Sequence, residues 1–196
     1  KLRGKSGHAG RPYLGVNAIT VGTNLISKLK RQLATKYSDP ILGTTTLNLA
    51  YIQGGLDTGK GSYGRQGNNI ADLVEFVLDI RPALPSLTTN VVTQLIQDYL
   101  KGSKLLLEEL CVRHDLGAWL TNPAELQQLN LGGNPEPSLG YIDVQMIWEA
   151  FGNIPCATIG AGNLTLAHTP NEYIEIDNLE KTKTAVVSII KGGYND

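Results

Sequence analysis

Residues 73–81 alternate: Phe76, Leu78 and Ile80 fall on one side of an extended chain, and Glu75, Asp79 and Arg81 on the other. That period of two reads as a strand with one face on a core and one in water. Residues 44–53 show the same pattern, with Leu47, Leu49 and Tyr51 opposed to Asn48 and Ala50. A glycine-rich stretch, Gly54 to Gly67, joins the two, and Pro82 and Pro85 end the second strand. Two segments carry the helical period instead. Ala18, Val21, Leu25, Leu29 and Leu33 line one face of residues 16–33, and Val92, Ile96 and Leu100 line one face of 88–100. Residues 104–113 read as a further strand. The order helix, strand, strand, helix, strand predicts an α+β fold, an antiparallel sheet with its helices on one face.

Beyond residue 120 the organisation changes. A Pro/Gly-rich segment, Gly132 to Pro137, precedes a helix expected over 141–151. An apolar run from Pro155 to Ile159 leads into Gly160-Ala161-Gly162. A last helix is expected over 178–191, with Asp177 as its cap, Glu180 completing a capping box, and Gly192 and Gly193 ending it.

The chain has 196 residues, 41% hydrophobic and 18% charged, which excludes a disordered or fibrous class. A net charge of −1 removes any electrostatic case for nucleic acid or anionic lipid, and no apolar run reaches membrane-spanning length. The first residues lack both an initiator Met and an apolar signal core, so the chain is expected to begin inside a longer protein. Cys111 and Cys156 lie far apart without metal spacing and read as free buried thiols in a reducing, cytoplasmic setting. Asn163-Leu164-Thr165 matches a glycosylation sequon, but nothing else points to secretion.

Two motifs sit at opposite ends of the chain. The first runs Gly4-Lys5-Ser6-Gly7-His8-Ala9-Gly10, then Pro12, then Gly15-Val16-Asn17-Ala18-Ile19. The second is Gly160-Ala161-Gly162 followed by Ala167-His168-Thr169-Pro170-Asn171-Glu172-Tyr173. Between them stand Asn68-Asn69-Ile70, with Ala71 where a proline is usual, and Leu78-Asp79-Ile80-Arg81. In this order the four resemble the C-terminal half of M20-type zinc-dependent amidohydrolases, the group of aminoacylase, acetylornithine deacetylase and succinyl-diaminopimelate desuccinylase. The chain departs from the family at Ser138-Leu139-Gly140-Tyr141-Ile142-Asp143, where the usual glycine pair and hydroxyl are missing and only Asp143 can be matched.

The resemblance implies a lid, or dimerisation, domain over residues 1–120 and a C-terminal segment of an α/β catalytic domain over 121–196. It implies hydrolysis of an N-acyl amino acid or small peptide amide at two zinc ions, which lower the pKa of a bridging water while a Glu accepts its proton. Most ligands and that Glu would belong to the other half of the protein, so this chain alone is expected to retain no zinc and no activity. His168 is the one zinc ligand the resemblance assigns here, with Glu172 and Asp143 as possible neighbours outside the family's ligand set. By the same resemblance His8 would be the lid histidine that reaches the active site, usually across a homodimer, and supports the oxyanion of the tetrahedral intermediate. Arg81 would take a substrate carboxylate through two parallel hydrogen bonds. Asn68 and Asn163 are weaker candidates for polar substrate contacts.

Plainer readings stand beside these. His168 is a lone histidine near a turn, His8 an exposed loop residue, Arg81 half of a surface ion pair with Glu75 or Asp79, and the two asparagines are turn residues. His114 matches nothing in the family. The alternative from a different class of function is a dimerisation module without metal or activity. Gly59-Lys60-Gly61-Ser62-Tyr63-Gly64 imitates a dinucleotide-binding loop, and Gly54 to Lys60 a phosphate loop. Both require a following helix, and an alternating strand follows instead, so a long flexible hairpin loop is the expected structure.

Overall fold

The computed structural model describes residues 1–121, 123–127, 137–140 and 142–191. They divide into two compact units, Lys1–Trp119 and Leu120–Asp196. The first unit contains, in order, β1 (Leu2–Arg3), a 3-10 turn (Pro12–Leu14), α1 (Ala18–Lys36), β2 (Ser38–Asp39), β3 (Gly43–Thr44), β4 (Thr46–Asp57), β5 (Tyr63–Gly64), β6 (Leu73–Arg81), α2 (Thr89–Leu100) and β7 (Leu106–Leu107). Its five-stranded sheet has the order β5-β4-β6-β1-β7, with every neighbouring pair antiparallel. The expected pairing of the two alternating segments is therefore present.

α1 begins where Asn17 caps it, its side-chain oxygen accepting the Thr20 N–H at 3.0 Å. Ala18, Gly22, Leu25, Leu29 and Leu33 recur every three or four residues and, with Ile26, form its buried stripe. Leu29 and Leu33 are fully buried, worth about 1.5–3 kcal/mol each relative to exposure. Thr88 caps α2 in the same way as Asn17 caps α1. α2 packs against α1, which also lies on β4 and β6, so both helices cover one face. Thr45, buried just before β4, is satisfied on both sides: its hydroxyl donates to the Tyr37 carbonyl and accepts the Ala83 N–H.

The tertiary structure corrects several expectations. β4 runs on to Asp57, and it carries a bulge at Ala50, between the pairs Leu49–Leu78 and Tyr51–Val77. One extra residue reverses the alternation. Tyr51 therefore leaves the face of Leu47 and Leu49, and Ile52 takes its place opposite Phe76. The glycine-rich loop is partly regular, since Tyr63 and Gly64 pair with Asp57 and Leu56. The strand expected over 104–113 shrinks to Leu106–Leu107. Cys111, expected to be buried, is exposed, while Cys156 is half-buried and neither forms a disulfide.

The second unit contains α3 (Pro123–Gln127), α4 (Val144–Ala150), a 3-10 turn (Leu164–Leu166) and α5 (Ile176–Ile190). The Pro/Gly segment up to residue 136, Tyr141, and the helix-ending Gly192 and Gly193 lie outside the described residues. α5 starts two residues earlier than expected, with Glu175 at the cap position and no side-chain cap bond. Asp177 thus stands inside the first turn, where a negative charge still suits the helix dipole, and Glu180 pairs with Lys183 at 3.1 Å instead.

Candidate functional site

The segment after β1 is gripped from two sides. On one side, the Gly4 N–H donates to the Asp72 carbonyl at 2.8 Å, the Ile70 N–H to Gly7 at 2.8 Å and the Ala9 N–H to Asn68 at 2.8 Å. On the other, Lys5 and Val16 exchange both main-chain bonds, at 3.0 and 2.8 Å. β1 thus continues as an irregular antiparallel ladder to His8, which bridges Asn69. The glycines of the first motif make this packing possible. A Cβ on Gly4 would overlap the Val16 carbonyl oxygen, and one on Gly15 would lie 2.8 Å from the Lys5 oxygen. His8 is in this way brought opposite Asn69, and Ala9 opposite Asn68, some sixty residues away in the chain, and His8 and Asn68 are both exposed. The His8 ring accepts the Gly10 N–H on Nδ1 at 3.0 Å.

Arg81 ends β6, on its polar face with Asp79. Its Nε and Nη2 both donate to Asp79 Oδ2, at 3.1 and 2.9 Å. Arg81 is not brought to His8. The His8–Asn69 bridge lies beyond the Leu73 end of β6, and the eight steps of ~3.3 Å along this nine-residue strand separate that end from Arg81 by roughly 26 Å.

At the root of the sheet, Arg3 joins three strands. Its Nη2 meets Asp57 Oδ2 at 2.7 Å and its Nε meets Glu108. The Gly59 N–H first, then Arg3, hold the Asp57 carboxyl below its ordinary value, and Arg3 does the same for Glu108. The Gly-rich loop is explained by this cluster. Asp57 Oδ1 accepts the Gly59 N–H at 2.8 Å, and Gly59 and Gly61 both sit at positive φ.

In the second unit, Asn163 Oδ1 accepts the N–H and the hydroxyl of Thr165 at 2.9 and 2.7 Å, so it caps a 3-10 turn. His168 is exposed in the left-handed region, at φ 64°, and its backbone N–H donates to Glu172 Oε2 at 3.0 Å. Among the described residues no three His, Cys, Asp or Glu side chains gather into a metal-binding group. A zinc site needs three or four protein ligands, so the residues present do not by themselves fit a zinc centre. Sequence reasoning gave no role to Gly10, whose placement two residues after His8 was its only signal.

A five-stranded antiparallel sheet with both helices on one face defines an α+β domain, and a glycine-gripped, exposed histidine stands at the end of its ladder. The family model described as the peptidase dimerisation domain matches residues 1–105, and the chain belongs to that domain family of the M20 peptidases. It is 30% identical over 209 residues to the acetylornithine deacetylase of Edwardsiella ictaluri, covering 97% of this chain and 50% of the relative. Among solved structures, a tripeptidase from Staphylococcus aureus superposes with a TM-score of 0.65 at 27% identity, over 97% of this chain and 49% of the other. An M20 family metallo-carboxypeptidase from Sulfolobus solfataricus shares the fold, with a TM-score of 0.57 at 18% identity, over 97% of this chain and 56% of the other. The chain spans about half the length of these relatives.

Proposed function

We propose that residues 1–120 are the lid, and 121–196 a C-terminal segment of the catalytic domain, of a hydrolase that cleaves the amide bond of N-acyl amino acids or small peptides. The observation that carries this reading is the ladder that fixes exposed His8 opposite Asn69, one residue from Asn68. In it His8 donates to the oxyanion that develops on the substrate carbonyl, and Asn68 makes a polar contact nearby. Arg81, its Nε edge held by Asp79, takes a substrate carboxylate. The roughly 26 Å along β6 exceeds the length of a small N-acyl amino acid, so one lid does not bring both groups to one substrate. A homodimer joined through the lids, each lending its His8 to the other's site, agrees with that separation. The outer edge of β4 ahead of its two β5 pairs, with Leu49 and Ile52 partly exposed, supports such a contact.

The metal of this reading is a pair of zinc ions held chiefly by the other half of the protein, with His168 contributing one ligand. Apolar residues left exposed on α5 and around it, among them Ile176, Ile190 and Leu164, support a second unit that completes a larger domain. Asn163 is retained only as a polar neighbour of substrate, since its oxygen already serves Thr165. Among the described residues no helix is long and apolar enough to cross a membrane. Two free cysteines support the cytoplasm as the setting.

The test is N-acetyl amino acid hydrolysis by the full-length protein this reading requires, with zinc counted by atomic absorption. Turnover that disappears with chelation supports it. A full-length protein without turnover or metal, yet dimeric, favours the second reading, a dimerisation module that performs no chemistry.

A further inference from the structure

We infer that Gly10 is a positioning residue for His8, its backbone N–H holding the imidazole in the tautomer whose Nε2 carries the proton. The Gly10 N–H points at His8 Nδ1 from 3.0 Å. A backbone N–H only donates, so the nitrogen it meets must offer a lone pair. A neutral imidazole has one donor and one acceptor, and the proton therefore resides on Nε2.

The turn does not need this bond for its own main chain. The His8 carbonyl already accepts the Arg11 N–H at 2.9 Å, the Arg11 carbonyl accepts that of Leu14 at 3.1 Å, and Ala9 is tied to Asn68. The Gly10 amide is thus directed at the ring alone. Space makes the same demand. A Cβ on residue 10 would lie 3.2 Å from both Cε1 and Nδ1 of His8, tighter than ordinary contact, so a side chain there displaces the imidazole.

The consequence for chemistry rests on the role proposed above for His8. An oxyanion is stabilised by an N–H, and the opposite tautomer would turn a lone pair toward the developing charge. Gly10 excludes that tautomer before substrate arrives, so no reorganisation is left for the reaction step.

The experiment has two arms. Long-range proton–nitrogen correlation spectra of this chain, uniformly labelled with nitrogen-15 and recorded well above the imidazole titration range, report the His8 tautomer directly. A single Nε2-protonated form is expected, with a mixture or a displaced ring signal in Gly10→Ala and Gly10→Ser. A proton on Nδ1 in the unaltered chain, or variants with unchanged His8 signals, overturns the inference. In the full-length protein, Gly10→Ala is expected to lower kcat about 10- to 100-fold while KM stays within about twofold, as small misplacements of a catalytic group do. Unchanged kcat in Gly10→Ala beside a large loss in His8→Ala overturns the positioning role. Unchanged kcat in His8→Ala sinks the proposed role of His8 itself and leaves the spectroscopic lock standing, so the two failures are told apart.

Discussion

Ala9 donates its backbone N–H to the carbonyl of Asn68 at 2.8 Å, and with the bond from Ile70 N–H to the Gly7 carbonyl it fixes His8 against the segment before β6. It anchors the histidine to the segment leading into β6 by main chain, while the imidazole stays in water. A side chain mounted in this way is positioned by the sheet and reachable from solvent.

Replacing His8 by Ala in the full-length protein should lower kcat about 100- to 1000-fold, the usual cost of an oxyanion donor, with zinc content unchanged. Steady-state kinetics and atomic absorption on the same preparation check this. Loss of zinc along with rate would make His8 a ligand instead.

Arg81 should be sensitive to shape as well as charge. Arg81→Lys keeps the charge but loses the planar fork, and is expected to raise KM about tenfold or more for substrates with a free carboxylate. Asp79→Asn, which weakens the grip on Nε, should give a smaller rise of the same kind. If esters and amides lacking the carboxylate suffer equally, Arg81 is a surface ion pair and nothing more.

Association should run through β4. This chain is expected to sediment as a dimer at micromolar concentration, and Ile52→Lys, which puts a charge beside the open edge, should shift it to monomer. A clean monomer from the unaltered chain would mean that pairing needs the other half of the protein.

The Arg3 cluster gives the first unit a pH dependence with a definite sign. Asp57 and Glu108 are held below their ordinary values when folded, so they add stability above the unfolded pKa, about 4. That contribution is lost as pH falls from about 4 through the lower folded values. Urea melts at pH 7 and pH 3 should show a drop in midpoint, partly abolished in Glu108→Gln. An identical drop in that variant would assign the acid sensitivity elsewhere.

Dialysed against metal-free buffer, this chain should hold no stoichiometric zinc and turn over no N-acetyl amino acid, because His168 is the one ligand proposed on it. Atomic absorption and a hydrolysis assay test both. Bound zinc with turnover would require a site made of side chains given no such role here, with Asp143, His114 and Asp115 the first to replace.

Some of this was legible in the order of residues alone. Polar and apolar side chains alternate along 73–81, and a strand so patterned has one stable orientation on a core, so β6 and its place in an antiparallel sheet followed directly. The stripe from Ala18 to Leu33 likewise announced α1, since it depends on neighbours within a turn or two. The motifs of the lid were recognisable because glycine, histidine and asparagine stand there at short, definite spacings. Tertiary structure decided what depends on distant partners. The bulge at Ala50 sends Tyr51 to the opposite face because β4 must match β6 in register, which its own sequence does not encode. Arg3 joins Asp57 and Glu108 because three strands converge there, although the three residues are far apart along the chain. His8 comes to stand opposite Asn69 for the same reason, while its Nδ1 meets the Gly10 N–H within one turn. Local periodicity selects an element, but the pairing of elements sets which side chains share a site, and pairing is a property of the folded chain.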